Sequence, residues 1–103
     1  MEFEELKNAV SPQIRKITVS AIVNTDTCGI KFENIRVGKV EIITLPENEG
    51  DVIVFSELHD EKNAVLGAGV CILIRETEVV SIDKHNGEIF VSIHNGAYRI
   101  SLN

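Results

Sequence analysis

"EGDVIVFSELHDEKNAVLGAGVCILIRETEVVSI", residues 49 to 82, is the stretch on which the fold turns. An acidic turn leads into the apolar run Val52-Ile53-Val54-Phe55. A polar loop follows, ending in Gly67 and Gly69, and a second apolar run returns through Val70-Cys71-Ile72-Leu73-Ile74. Short β-branched runs bounded by turn formers read as buried strands, and nothing in the stretch is an obvious reactive group.

The same reading extends in both directions. Upstream, Ile17, Val19, Ala21 and Val23 alternate with Thr18, Ser20 and Ile22, the pattern of a strand with one buried face. Asn24 to Gly29 is a cluster of turn formers, hence a loop. Residues 30 to 35 alternate weakly, and "VGKVEIITL" (37 to 45) predicts a strand before the turn Pro46 to Asp51. Further strands are expected over 52 to 55, 70 to 75 and 79 to 82. Asn86-Gly87 and Asn95-Gly96 each sit between alternating apolar residues. Asn-Gly suits the two positive-φ positions of a type I′ turn, so both predict hairpins, with strands over 88 to 93 and 97 to 102. At the other end Phe3, Leu6 and Val10 have helical spacing, and Pro12 ends that pattern. No long helix alternates with the strands, which excludes a parallel α/β sheet. The expectation is one all-β domain, a small OB-like barrel or sandwich. It carries a short N-terminal helix over 1 to 13 and an added C-terminal β-meander over 83 to 103.

Bulk composition narrows the partners. The chain has 103 residues, 44% hydrophobic and 25% charged, which suits a single globular core. Its net charge is −6, only 5% of residues are aromatic, and there is no Trp. Phosphate backbones attract clustered Lys and Arg, and single strands need rings to stack on, so nucleic acid is not an expected partner. No apolar run approaches the roughly 20 residues that span a bilayer, and no secretory signal is apparent at residues 1 to 7. A cytoplasmic setting with reduced thiols at Cys28 and Cys71 follows as the expectation. Cys71, inside an apolar strand, reads as a small buried hydrophobe.

Candidate chemistry is sparse. His85 and His94 each precede an Asn-Gly pair and, with His59, invite a metal reading. Metal sites need converging ligands with supporting groups behind them, and hairpin shoulders facing solvent account for this spacing as well. Glu57, His59, Asp60 and Glu61 form a charged loop that reads as a solvated connection rather than an acid–base site. Gly67-Ala68-Gly69 lacks the third glycine and following helix of a dinucleotide fingerprint. No nucleophile elbow or phosphate-binding loop is present. The expectation is a protein that is not an enzyme, with no catalytic residues, no metal and no cofactor.

Residues 17 to 82 resemble the small co-chaperonins, the GroES-like lids of ring-shaped chaperonins. The likeness is carried by Gly50-Asp51, Val52 to Phe55 with Ser56, Gly67, Cys71-Ile72-Leu73-Ile74-Arg75-Glu76 and Glu78-Val79-Val80-Ser81-Ile82. Upstream, Cys28-Gly29-Ile30-Lys31-Phe32 is similar to the family's loop anchor, and Gly38-Lys39-Val40 to the strand after it. The chain departs from the family in three places. Lys31 takes a normally apolar anchor position, the loop over 24 to 36 is short, and no roof hairpin lies between Leu45 and Gly50. The resemblance implies self-association into a ring that caps a ring chaperonin through a mobile loop containing Gly29, Ile30, Lys31 and Phe32. Such a loop orders on binding, so avidity across the ring supplies the affinity that one loop lacks. The residues alone leave a second reading open, in which Ile30 and Phe32 belong to a short amphipathic strand packed on the barrel. The rival function is a non-enzymatic phage, virion or baseplate structural component built on an OB-like barrel.

Overall fold

Phe3, Leu6 and Val10 form one stripe of a helix, α1 (Phe3–Val10), and all three are buried. The computed structural model describes residues 1–10, 16–58 and 69–102, so Pro12 and the loop containing His59 and Gly67 lie outside the described residues. The remaining elements are strands: β1 (Ile17–Asn24), β2 (Gly29–Thr44), β3 (Asp51–Glu57), β4 (Cys71–Arg75), β5 (Val79–His85), β6 (Glu88–Ile93) and β7 (Gly96–Leu102). All pairings are antiparallel and give one sheet in the order β4-β3-β2-β1-β7-β6-β5. The fold is all-β and barrel-like with a short N-terminal helix, as the patterning predicts.

One strand organises the sheet. Residues 30 to 35 and 37 to 45 read as separate segments in the sequence, but they are halves of the 16-residue β2. The first half pairs with β1, down to Thr18↔Arg36. The second pairs with β3, from Val37↔Glu57 to Thr44↔Asp51. Two register shifts bend the strand between these tasks. Ser20 faces the doubled residues Glu33 and Asn34, because Val19 pairs with Ile35 and Ala21 with Phe32. A second shift at Gly38 carries the ladder from Val37↔Glu57 to Lys39↔Ser56. Each bulge adds a residue, flips the alternation and increases local twist. That is why residues 30 to 35 alternate only weakly. A Cβ at Gly38 would lie 2.8 Å from the Leu58 Cα, so the second bulge requires glycine for close approach.

The C-terminal meander is part of the wall rather than an appendage. β7 pairs with β1 along its whole length, from Ile17↔Leu102 to Val23↔Gly96. Ile89, Val91, Tyr98 and Ile100 from β6 and β7 join Val19, Ile53, Phe55, Ile72, Ile74 and the helix side chains in one buried cluster. The sheet curls enough for the Tyr98 hydroxyl on β7 to donate to the Leu73 carbonyl on β4, at 3.2 Å. The two end strands are joined by a single 3-10 turn, Glu76–Glu78. Helix α1 bridges this side of the molecule. The Met1 amine donates to the Ile82 carbonyl of β5, and Lys7 reaches Asp51 at the start of β3.

Two details differ from the sequence reading. Cys71 is exposed, because Ile72 and Ile74 take the inner face of β4 and leave Cys71, Leu73 and Arg75 outside. The two Asn-Gly pairs also serve different purposes. Asn86 (φ 49°) and Gly87 (φ 81°) are the positive-φ turn residues expected. At the second pair the turn residues are His94 and Asn95, and Gly96 is already in β7 opposite Ile93. A Cβ on Gly96 would fall 1.9 Å from the Ile22 carbonyl oxygen, so glycine is needed there for the approach of β7 to β1.

These contacts rank two substitutions. Gly87→Ala meets nothing closer than 3.6 Å and suffers only its positive φ, so it should cost about 1 kcal/mol. Gly96→Ala must push two paired strands apart and should cost about 3 kcal/mol or more. Urea unfolding of both variants checks the order.

The helix tether makes a separate prediction. The Lys7 side chain, hydrogen-bonded to Asp51 and Glu4, is held protonated well above its ordinary 10.5. Asp51, bonded to Lys7 and then Thr44, is held below its ordinary 3.8. The Asp51 contribution is therefore complete above pH 3.8 and is lost as pH falls through its lower folded value. The Lys7 contribution is complete below pH 10.5 and fades only as pH rises through its raised folded value. Asp51→Asn should be less stable than wild type at neutral pH, with the difference shrinking below pH 3.8, as read by thermal melts across pH.

Candidate functional site

The bulge in β1 and β2 builds a polar point on an otherwise ordinary strand pair. Asn34 adopts φ 50°, the left-handed region that Asn tolerates better than most residues. Its backbone N–H donates to the Ser20 Oγ at 2.9 Å. Its Oδ1 lies 3.5 Å from that hydroxyl and also 3.5 Å from Nη2 of Arg99 on β7. Ser20 pairs with Arg99 and Arg99 with Phe90, so three strands deliver these groups to one row across the sheet.

Around that row lies an open groove of about 390 Å³, lined chiefly by Ile22, Lys31, Glu33, Asn34, Phe90 and Arg99. Ile22 and Phe90 are 50% and 40% exposed, two of several large apolar side chains that the strands leave in solvent. Lys31 and Glu33 form an ion pair at 2.7 Å in open solvent. The Lys31 ammonium holds the Glu33 carboxyl below its ordinary range, with a smaller pull from Arg99. Among the described residues Arg99 has no carboxylate within ion-pair distance. Its weak bond to Asn34 leaves most of a five-donor fork unused. The groove thus offers two apolar walls and a cationic floor, suited to a peptide-like segment with an acidic group.

The four loop-anchor residues take part in this site in a different way from the mobile arm that the resemblance implies. Gly29, Ile30, Lys31 and Phe32 are the first residues of β2 and pair with Asn24, Val23, Ile22 and Ala21 of β1. Only residues 25 to 28 remain as a turn. Thr25 closes it by donating to the Cys28 carbonyl at 2.7 Å and accepting from the Cys28 N–H at 3.1 Å. With a connection this short, residues 29 to 32 lie in the β1–β2 ladder. Phe32 packs partly against the core, Lys31 lines the groove, and Ile30 stays 42% exposed.

The other sequence candidates are not brought together. His85 and His94 are both exposed and lie at opposite ends of β6, roughly 17 Å or more apart at strand rise. His85 shares a 3.2 Å hydrogen bond with Asn86. His59, Asp60, Glu61, Gly67 and Ala68 lie outside the described residues, and Glu57 accepts from the Val70 N–H at 3.4 Å. Sequence reasoning did not select Ser20, Asn34, Phe90 or Arg99. The broken alternation at residues 33 and 34 was the available signal for the bulge. The meeting of Arg99 with Asn34, 65 positions apart, had none.

A comparison of the chain with protein-family models, with curated proteins and with solved structures found no match. The functional reading therefore rests on the geometry.

The bulge is testable alone. Asn34→Gly keeps the left-handed conformation and should change stability by less than about 1 kcal/mol. Asn34→Val puts a β-branched residue there and should cost about 1–2 kcal/mol more. Chemical denaturation of the pair decides it.

Proposed function

We propose that this chain is a non-enzymatic assembly component, a barrel-like β module that works by docking on protein surfaces. The observation carrying this reading is the groove across β2, β1, β7 and β6. There the exposed Ile22 and Phe90 flank the Arg99–Asn34–Ser20 row. Large apolar side chains beside a solvent-facing guanidinium are the makings of an interface anchor. Further exposed apolar residues on the opposite half-sheet, Ile43 and Leu73, add surface of the same character. A structural component of a larger particle, such as a phage virion or baseplate, is the setting that suits such a module.

The co-chaperonin lid is the second reading, and Ile30 is the residue that favours it. It is exposed beside the 25-to-28 turn, where a chaperonin groove has access to it. Capping would then use Ile30 from a strand end, or would require residues 29 to 32 to leave β1 and lose their ladder bonds. Binding energy spent on that release lowers the affinity of each contact, which ring avidity must restore.

Native mass measurement with and without a ring chaperonin and nucleotide separates the two. Oligomers indifferent to chaperonin support the assembly component. A closed ring that co-elutes with chaperonin in the presence of nucleotide supports the lid. In that case Ile30→Asp, on an exposed side chain, should abolish co-elution while the circular dichroism spectrum is unchanged.

A further inference from the structure

We infer that the groove receives the β2–β3 hairpin tip of a second copy of this chain, in a head-to-tail contact. The inference rests on the assembly reading above and specifies its partner.

The tip, Pro46–Asn48 with Glu49, is an acidic projection of defined shape. Leu45 N–H donates to the Gly50 carbonyl at 3.0 Å, and Glu49 N–H donates to that of Pro46 at 3.3 Å. Glu47 (φ 58°) and Asn48 (φ 60°) both occupy the left-handed region, a strained arrangement for two successive residues other than glycine. Pro46, Glu47, Asn48 and Glu49 are all exposed, and neither glutamate has an ion-pair partner among the described residues. A rigid loop loses little entropy on docking, which is the main obstacle for a small contact.

The groove complements that tip in charge and in surface. Arg99 has no carboxylate within ion-pair distance among the described residues, Lys31 is paired there with the solvent-exposed Glu33, so the groove is cationic in sum, and Ile22 and Phe90 provide apolar walls for Pro46. The whole chain carries −6, so a cationic groove is a local exception to the prevailing charge, and the tip's two carboxylates match it. Groove and tip lie at opposite ends of β2, since residues 31 to 34 open the strand and the tip follows Thr44. The residues between them are extended strand, laddered first to β1 and then to β3, which keeps the two ends of β2 apart, so the contact is between molecules. Two different surfaces meeting in this way form a heterologous interface, which closes as a ring or continues as a filament.

Charge reversal tests this with sedimentation velocity over a concentration series. Wild type should show concentration-dependent oligomers. Arg99→Glu alone, or Glu47→Lys with Glu49→Lys, should raise the apparent dissociation constant at least tenfold, with an unchanged circular dichroism spectrum. Mixing the two variants matches both contacts between unlike chains, native tip with native groove and reversed tip with reversed groove, so assembly should return with the two variants alternating. Combining all three substitutions in one chain should restore wild-type assembly. Oligomers that persist unchanged in both single-surface variants overturn the groove–tip contact while leaving the assembly reading standing. A wild-type chain that stays monomeric at the highest concentrations overturns both.

Discussion

The structure depends on one strand serving two half-sheets. β2 must offer its ladder to β1 over its first half and to β3 over its second, and a straight, uniformly alternating strand would hold both partners in one plane. The bulges at Glu33-Asn34 and at Gly38 turn it between these tasks and reset which side chains face inward. Without them the β3–β4 pair would not curl back toward β7. The Tyr98 hydroxyl would not reach the Leu73 carbonyl, and the buried cluster that joins Phe55 and Ile74 to Val91 and Ile100 would be split.

Closing the wall draws on both ends of the chain. β7 lies beside β1, so residues 17 to 24 are central in the sheet and flanked on both sides. Helix α1 adds Phe3, Leu6 and Val10 to the core and is fixed to β3 and β5 by the Lys7–Asp51 pair and the Met1 amine. A small domain buries a modest fraction of its surface, so these terminal elements are a necessary share of the core.

The bend has a second consequence. The extra residue that turns β2 places Asn34 in a left-handed conformation, with its side chain beside Ser20 and Arg99. The same device that shapes the barrel therefore gives its outer face a polar row between Ile22 and Phe90. A bulge re-aims side chains as well as bending a strand, so architecture and binding surface are coupled here. Charge is divided in the same direction, with a cationic groove at one end of β2 and an acidic hairpin at the other.

By itself the sequence determined the secondary-structure class and most of the core. Local periodicity is a one-dimensional property, so the helical stripe Phe3-Leu6-Val10, the alternation from Ile17 to Val23 and the turn at Asn86-Gly87 were legible in it. The tertiary structure decided what depends on distant partners. It merged residues 29 to 44 into one bent strand, built the C-terminal hairpins into the wall beside β1, and set Cys71 outside. It also showed that Gly96 yields to the Ile22 carbonyl and brought Arg99 to Asn34. The physical reason is that register and curvature arise from pairing between segments far apart in the chain. A bulge reveals itself in sequence only as a lapse in alternation.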